Sequence, residues 1–435
     1  MAKAARIGVI QRTYYLITVL FWLSLALPLP LMVLLIQARG MSLFQIGTLM
    51  GAYSLTIVLL ELPTGGLADA IGRKKVGLVS YFFMMLTGVV FVFSFSFPAF
   101  LLSFIFSGIG RALTSGTLDA WFVDALQEAD PEIDLQPSFA QAGTLTFLAL
   151  GIGTLLGSLI PRFFPNLPAD GSAIITPLLM PLIFSFIPLI ALILTVQFLV
   201  HETRPTSAPT SWKVGLLQVP IIIRESIDLS RRNTILLLLI ASTLVSGLVL
   251  SGLETFWQPH FADLLGGSEG NTFIFGIIMG GNFLVGMLGN LMATWLSKLF
   301  KRRYGLLSAA IQALRGIFLL LLAMQASTIP AMLLFWLTYL NMGILSSPVT
   351  TLMNNEIPSD RRSSMLSLVS MIGYVGSFLG SVGLGYVAEQ TSIGLAWASS
   401  GVVLALSALL FLRVDKLLKQ RISVHEHEGA LLETG

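Results

Sequence analysis

None of the 435 residues is a cysteine, which excludes disulfide staples and thiolate metal sites. Charge is nearly as scarce. Asp, Glu, Lys and Arg make up 11% of the chain, against about 25% in soluble domains. Histidine occurs four times, in segments that read as loops and tail. His-Glu-x-x-His, Gly-x-Ser-x-Gly and Walker-type phosphate loops are all missing, so no catalytic set is expected. No basic patch is interleaved with aromatics, which excludes a nucleic-acid surface.

What fills the chain is apolar. Hydrophobic residues make up 55%, and the mean hydropathy is +0.86. Twelve apolar stretches of roughly 20 residues are each long enough to cross about 30 Å of hydrocarbon. They lie near 13–36, 44–66, 76–97, 98–123, 140–161, 176–200, 234–257, 272–297, 304–325, 330–352, 364–388 and 392–413. Helices are expected, because lipid offers backbone groups no partners. A β-barrel does not fit: runs such as Ile235–Ile240 are apolar on every face rather than alternating. The first stretch follows Lys3, Arg6 and Arg12 but is too long for a signal peptide and lacks a small-residue cleavage site. It reads as a retained span.

Positive charge sets the expected orientation. With the N-terminus in the cytoplasm, 21 of the 25 Lys and Arg fall in inward-facing segments. Arg39 and Arg162 face outward, and Arg111 and Arg315 lie inside spans. The asymmetry puts both termini in the cytoplasm of a multi-pass protein of the inner membrane. The net charge of +3 then concerns topology and anionic headgroups. The acidic stretch Glu128–Asp134 runs against the local charge rule, but acids weigh little in topology.

The chain divides into a first six-span bundle (1–200), a linker (201–233), a second six-span bundle (234–413) and a tail (414–435). The linker opens His-Glu-Thr-Arg-Pro-Thr-Ser. Its second part, Trp212–Arg232, mixes apolar residues with Lys213, Arg224, Arg231 and Arg232, as a helix lying on a membrane surface would. Span 5 carries Gly143, Gly151, Gly153 and Gly157, and its positional partner, span 11, carries Gly373, Gly376, Gly380, Gly383 and Gly385. Matched small residues suggest two repeated halves, with Gly153, Gly157, Gly376 and Gly380 as close-packing positions. In the tail, His425-Glu426-His427-Glu428 reads as solvated chain, and no metal site is expected.

The segment Gly65-Gly66-Leu67-Ala68-Asp69-Ala70-Ile71-Gly72-Arg73-Lys74-Lys75 joins spans 2 and 3. It resembles the loop between helices 2 and 3 of the major facilitator superfamily, Gly-x-Leu-Ala-Asp-Arg-x-Gly-Arg-Arg/Lys. Gly65, Leu67, Ala68, Asp69, Gly72, Arg73 and Lys74 match, and Ala70 stands where Arg is usual. The six-plus-six plan extends the resemblance over nearly the whole chain. It implies an all-α integral membrane fold of twelve transmembrane helices in two pseudo-symmetric halves. It implies a transporter, not an enzyme, working as a monomer without a cofactor. It also implies a cytoplasmic gate in which Asp69 contacts helix 11 and Arg73 pairs with Asp124 at the inner end of helix 4.

Ionisable residues inside spans cost at least about 2.5–3.5 kcal/mol on insertion scales and need a cavity or a partner. Arg111 falls near the middle of span 4 in Gly110-Arg111-Ala112-Leu113-Thr114-Ser115-Gly116. This is similar to the cavity-facing Arg of proton-coupled exporters in the superfamily, although the Gly comes one position late. A structural Arg pairing with a neighbouring helix is the alternative. Asp119 would lie about 12 Å further along one continuous helix, roughly 80° round from Arg111. It reads equally as a proton site or as a solvated acid near the cytoplasmic end. Glu61, in Glu61-Leu62-Pro63-Thr64-Gly65, resembles the Glu-x-Pro-x-Gly pattern of bacterial drug exporters; its plain reading is a packing residue bonded to helix 4 or 11. Glu254 is placed near the outer surface, either as a rim acid or as a carboxylate that attracts cationic substrates or accepts a proton from outside. Arg315 is read as structural, nearer the inner surface, and able to snorkel.

Proton-coupled efflux of amphipathic or cationic compounds is the expected function, with the proton as coupling ion and the bilayer and a small molecule as partners. The run Gly153-Thr154-Leu155-Leu156-Gly157-Ser158 keeps part of the exporter motif Gly-Pro-x-x-Gly-Gly, but Ser158 replaces Pro. Transport of one polar metabolite, such as a sugar, is the alternative, with Gln141, Asn282, Gln312, Tyr339, Asn341 and Tyr374 as the polar groups available. A receptor or a lipid scramblase could use the same scaffold.

Overall fold

The computed structural model describes the backbone of residues 2–202, 224–225, 227–267 and 270–433. It describes side chains in the same stretches apart from residues 2, 62–63, 65–66, 68–70, 360, 363 and 422–433. Twelve helices among these residues are long and apolar enough to cross a membrane. Spans 1–6 are Lys3–Ala26, Leu43–Glu61, Arg73–Val92, Phe97–Ala129, Gln136–Phe163 and Pro177–Leu199. Spans 7–12 are Thr234–Leu265, Thr272–Leu299, Tyr304–Ala323, Thr328–Glu356, Ser364–Gln390 and Ile393–Arg421. The protein is a multi-pass membrane protein. Among the described residues, one end of the bundle gathers Lys3, Arg6, Arg73, Lys74, Arg303, Arg361 and Arg421, and is called the basic end below.

Span 1 differs from the expected 13–36. It runs Lys3–Ala26 and stops before Pro28 and Pro30, and a separate short helix covers Met32–Ala38. Proline lacks the N–H that an uninterrupted helix requires. The basic residues ahead of the expected span therefore lie on the helix itself. There Lys3 pairs with Asp130 at 2.9 Å and Arg6 with Glu128 at 3.0 Å. The hydrogen bond from Lys3 holds the Asp130 carboxyl below the usual carboxylate range. These pairs account for the acidic stretch that offends the local charge rule.

The segment between spans 2 and 3 is helical up to Ile71, so the expected eleven-residue loop shrinks to Gly72. Gly72 has a φ of +102°, which other residues rarely adopt. The Glu202 carboxylate fills the space a Cβ would take and accepts from Arg73 N at 2.8 Å and Lys74 N at 3.2 Å. A carboxylate at a helix N-terminus is favoured by the exposed N–H groups there. Span 7 begins similarly, with Asn233 Oδ1 accepting from Ile235 N and Leu236 N. It ends at left-handed Gly266.

The halves repeat each other. Span 1 packs on span 5 as span 7 packs on span 11, and span 2 on span 4 as span 8 on span 10. Glycines set the closeness of the first contact in each half. A Cβ on Gly157 would strike the Leu27 backbone, and one on Gly376 or Gly380 would strike the backbone of span 7 at Leu244 or Leu248. Gly143, Gly151 and Gly383 face open space instead. Gly376→Leu is therefore expected to destabilise by about 1–3 kcal/mol through overpacking, while Gly151→Ala leaves stability unchanged or higher. Thermal unfolding in detergent reads both, and equal midpoints would contradict the packing role.

Between the halves, span 11 runs along span 2 and span 8 along span 5. The close inter-half contacts lie toward the end opposite the basic one. Gly47 meets Ser381 and Gly385, Gly276 meets Ser158, and Phe44 N donates to Glu389 at 3.3 Å. Gln258 of span 7 donates to Leu29 O at 2.9 Å and accepts from Val33 N at 2.9 Å, in the break after span 1. Arg39, at this end, ties elements of the first half to one another. It is 6% exposed and donates to the carbonyls of Phe91, Ser94 and Ile174.

At the basic end, Arg361 pairs with Glu225 of the linker at 3.1 Å, and further ion pairs lie inside the halves. Arg73 pairs with Asp124 in the first half, and Arg303 with Asp415 (2.6 Å) and Arg421 with Glu356 (2.9 Å) in the second.

Two expectations fall partly outside the described residues. Of the linker helix over 212–232, only 224–225 and 227–232 are described, as helix. The tail is not loose chain in its backbone: the helix that starts at Ile393 continues to Glu433, while the side chains of 425–428 are outside the description.

Candidate functional site

Span 4 carries the first correction at the site. It is two helices, Phe97–Thr114 and Thr117–Ala129, parted at Gly116 with a φ of +69°. Arg111 therefore stands in the last turn before a break, and the geometry of a continuous helix relating it to Asp119 does not hold. Asp119 lies in the first turn of the second piece, where helix N–H groups favour an acid. Buried Tyr14 of span 1 donates to it at 2.5 Å while stacking on Phe122. Asp119 is thus tied to span 1 rather than to Arg111.

Glu61 accepts a hydrogen bond from Ser370 of span 11 at 2.9 Å, and its other oxygen is buried with no partner among the described residues. The bond crosses from one half to the other. Arg111 lies within electrostatic reach of Glu61 and of Tyr53. Tyr53 in turn feels Glu254 and Tyr374.

Glu254 is not at the rim. Its helix continues eleven residues beyond it to Leu265. Its side chain is exposed although protein surrounds it on all sides, so it faces an internal space. Arg315 is likewise not near the inner surface: it sits mid-span between Tyr304 and Ala323 and is 3% exposed. Arg315, Glu254 and Tyr339 are within electrostatic reach of one another. No ion pair within 4 Å joins Arg315 to Glu254 among the described residues.

A cavity of about 440 Å³ opens between spans 7, 9, 10 and 11. Arg315 and Gln312 form one wall. Hydroxyls supply much of the rest: Ser242, Thr243 and Ser246 from span 7, Ser346 and Thr350 from span 10, and Ser370, Tyr374 and Ser377 from span 11. Several of these bond back to helix carbonyls, Ser242 and Thr243 to Leu239 O and Ser377 to Gly247 O. Leu250, Met342 and Val349 line the cavity beside them. Such a wall suits an amphipathic molecule. Asn282 and Tyr339, named as possible binding groups, each keep a buried polar atom without a partner.

The gate residues are only partly described. Arg73 bonds Asp124 within the first half, and Lys74 Nζ donates to Gln197 O at 2.6 Å. Leu67 packs with Val76 and Leu113. The side chains of Gly65 and Asp69 lie outside the description, so the expected contact of Asp69 with span 11 does too.

Sequence reading missed three features. The cavity hydroxyls were detectable in principle, since Ser242, Thr243 and Ser246 share one face of a helix. Gln258 gave a weaker signal as a lone amide in an apolar run. His260 is not in a loop: it lies inside span 7, its ring 4.6 Å from that of Trp397 and its Nε2 buried without a partner.

Two repeated six-helix halves around a polar membrane interior define a solute transporter. The model of the Major Facilitator Superfamily matches residues 14–381 and 276–433, and the chain belongs to that superfamily. It is 23% identical over 407 residues to the Bacillus subtilis (strain 168) protein named uncharacterized MFS-type transporter YxaM, covering 93% of this chain and 96% of that one. It is 21% identical over 394 residues to uncharacterized MFS-type transporter MJ1560 of Methanocaldococcus jannaschii, covering 89% and 93%. Its fold is similar to that of the nucleoside transporter NupG (D323A mutant), with a TM-score of 0.75 at 16% identity, over 94% of this chain and 99% of that one.

Proposed function

We propose that the protein is a proton-coupled exporter of amphipathic small molecules, working by alternating access in a cell's inner membrane with its basic end in the cytoplasm. The observation that carries this is the bond from Ser370 to Glu61. Ser370 is part of the cavity wall, and Glu61 belongs to the other half. A proton arriving on Glu61 changes a contact that spans the two halves and touches the substrate space. One event thus biases both occupancy and the rocking equilibrium.

The charge asymmetry supports the orientation, and the Glu61-x-Pro63-x-Gly65 pattern supports export. A cation finds Glu254 in this interior but also meets Arg315, so the amphipathic reading fits better than the cationic one.

Inside-out and right-side-out vesicles carrying the protein test this. A pH gradient is expected to drive a fluorescent amphiphile from the basic face to the other side. Absence of gradient-dependent movement in either orientation would overturn the reading.

A further inference from the structure

We infer that the cavity of the second half is built to receive an anionic group, so that the transported molecule is an amphipathic organic anion with Arg315 as its counter-charge. The inference rests on the reading of the protein as a transporter and names its substrate class.

Arginine in a membrane interior keeps its charge and presents donors only. In a closed structural role those donors meet carbonyls or a carboxylate. Arg39 shows that role in this same chain, with three backbone carbonyls around its guanidinium. Arg315 is more deeply buried, and whereas Arg39 leaves only its Nε without a partner, no hydrogen bond to any nitrogen of the Arg315 guanidinium forms among the described residues. Tyr339, within electrostatic reach, has a buried hydroxyl that is also without a partner. The Arg315 guanidinium, in the cavity wall, thus lacks an acceptor among the described residues, and a buried donor left unmade costs about 1–3 kcal/mol. An anionic oxygen supplies the missing acceptor and the missing charge together.

The cavity wall is consistent with this ligand. Gln312 is committed elsewhere, donating to Ser407 at 2.9 Å. Hydroxyls not bonded back to their helices, such as Ser246, Ser346 and Thr350, remain for secondary polar contacts. Leu250, Met342, Leu345 and Val349 accept an apolar body. The volume of about 440 Å³ holds a bicyclic aromatic acid. Glu254 lies within electrostatic reach of Arg315 without an ion pair to it among the described residues, and its charge opposes an entering anion.

Binding to the purified full-length protein tests the inference with three probes that share one apolar body and carry fixed charge: naphthalene-2-sulfonate, naphthalene-2-sulfonamide and 2-naphthyltrimethylammonium. The sulfonate is expected to bind at least about tenfold more tightly than the other two. Arg315→Gln should remove that preference, Arg315→Lys should retain part of it, and Glu254→Gln should raise sulfonate affinity. If Arg315→Gln does not fold, the Glu254→Gln arm decides the matter alone. Equal binding of the three, preference for the ammonium, binding of none, or a sulfonate affinity lowered by Glu254→Gln would each overturn the inference. Binding preference is separate from transport. Selective sulfonate binding without gradient-driven movement would remove the exporter reading and leave the site. Gradient-driven movement without charge selectivity would do the reverse.

Discussion

Glu61→Gln is expected to abolish pH-gradient-driven transport while substrate exchange across the membrane persists. Glutamine keeps an oxygen that can accept from Ser370, so the contact between spans 2 and 11 survives in shape. It cannot change charge, so the contact no longer has two states. The electrostatic relation of Glu61 to Arg111 is frozen in its neutral form as well. Net accumulation against a gradient should fall by about tenfold or more, equivalent to about 1.4 kcal/mol of lost coupling. Exchange of labelled for unlabelled substrate needs only the rocking of the loaded protein and should continue. Proteoliposomes with and without an imposed pH gradient separate the two. Unchanged gradient dependence would remove Glu61 from the coupling role, and loss of both activities would mark it as a packing residue.

The overall architecture was legible because its cause is local and repeated. Each of the twelve spans is an apolar run, and lipid leaves such a run no choice but helix. Boundaries were less legible where one residue decides them. Pro28 and Pro30 moved span 1 toward the N-terminus, Gly116 cut span 4, and Gly72 reduced a whole loop to one residue. The signature segment was recognised by its residues, but most of it is helix. Depth was misread for the two interior charges that matter most. Glu254 was placed by counting residues from a span that proved longer, whereas Arg315 was already central in the expected span 304–325 and remains so in Tyr304–Ala323. What the sequence could not show is which faces meet. The pairing of Glu61 with Ser370 joins residues 309 positions apart, and that of Gln258 with Leu29 joins residues 229 apart. Neither leaves a trace in periodicity.

Gln258→Leu is expected to release the end opposite the basic one. Gln258 is 3% exposed and spans the halves by itself, donating to Leu29 O and accepting from Val33 N and, at 3.4 Å, Leu34 N. Leu29 lies in the break between Ala26 and Met32, and Val33 N and Leu34 N are first-turn donors of the helix Met32–Ala38, where no helical partner satisfies them. Leucine fills a similar volume, so the packing against the surrounding apolar cluster changes little. It leaves the carbonyl and amides buried and unpaired as long as this end stays closed. Opening hydrates them. The closed state therefore loses about 1–3 kcal/mol relative to the open one, a shift of about 5–150-fold in the equilibrium. Because the chain contains no cysteine, a single Ser381→Cys reporter needs no other change. Ser381 is 1% exposed, at the crossing of spans 2 and 11 where its carbonyl meets Gly47. Labelling of that cysteine by an impermeant maleimide from the outer face should quicken by at least about fivefold when Gln258→Leu is added. Equal labelling rates would show that the glycine contacts of spans 2 and 11, rather than the Gln258 amide, hold this end shut.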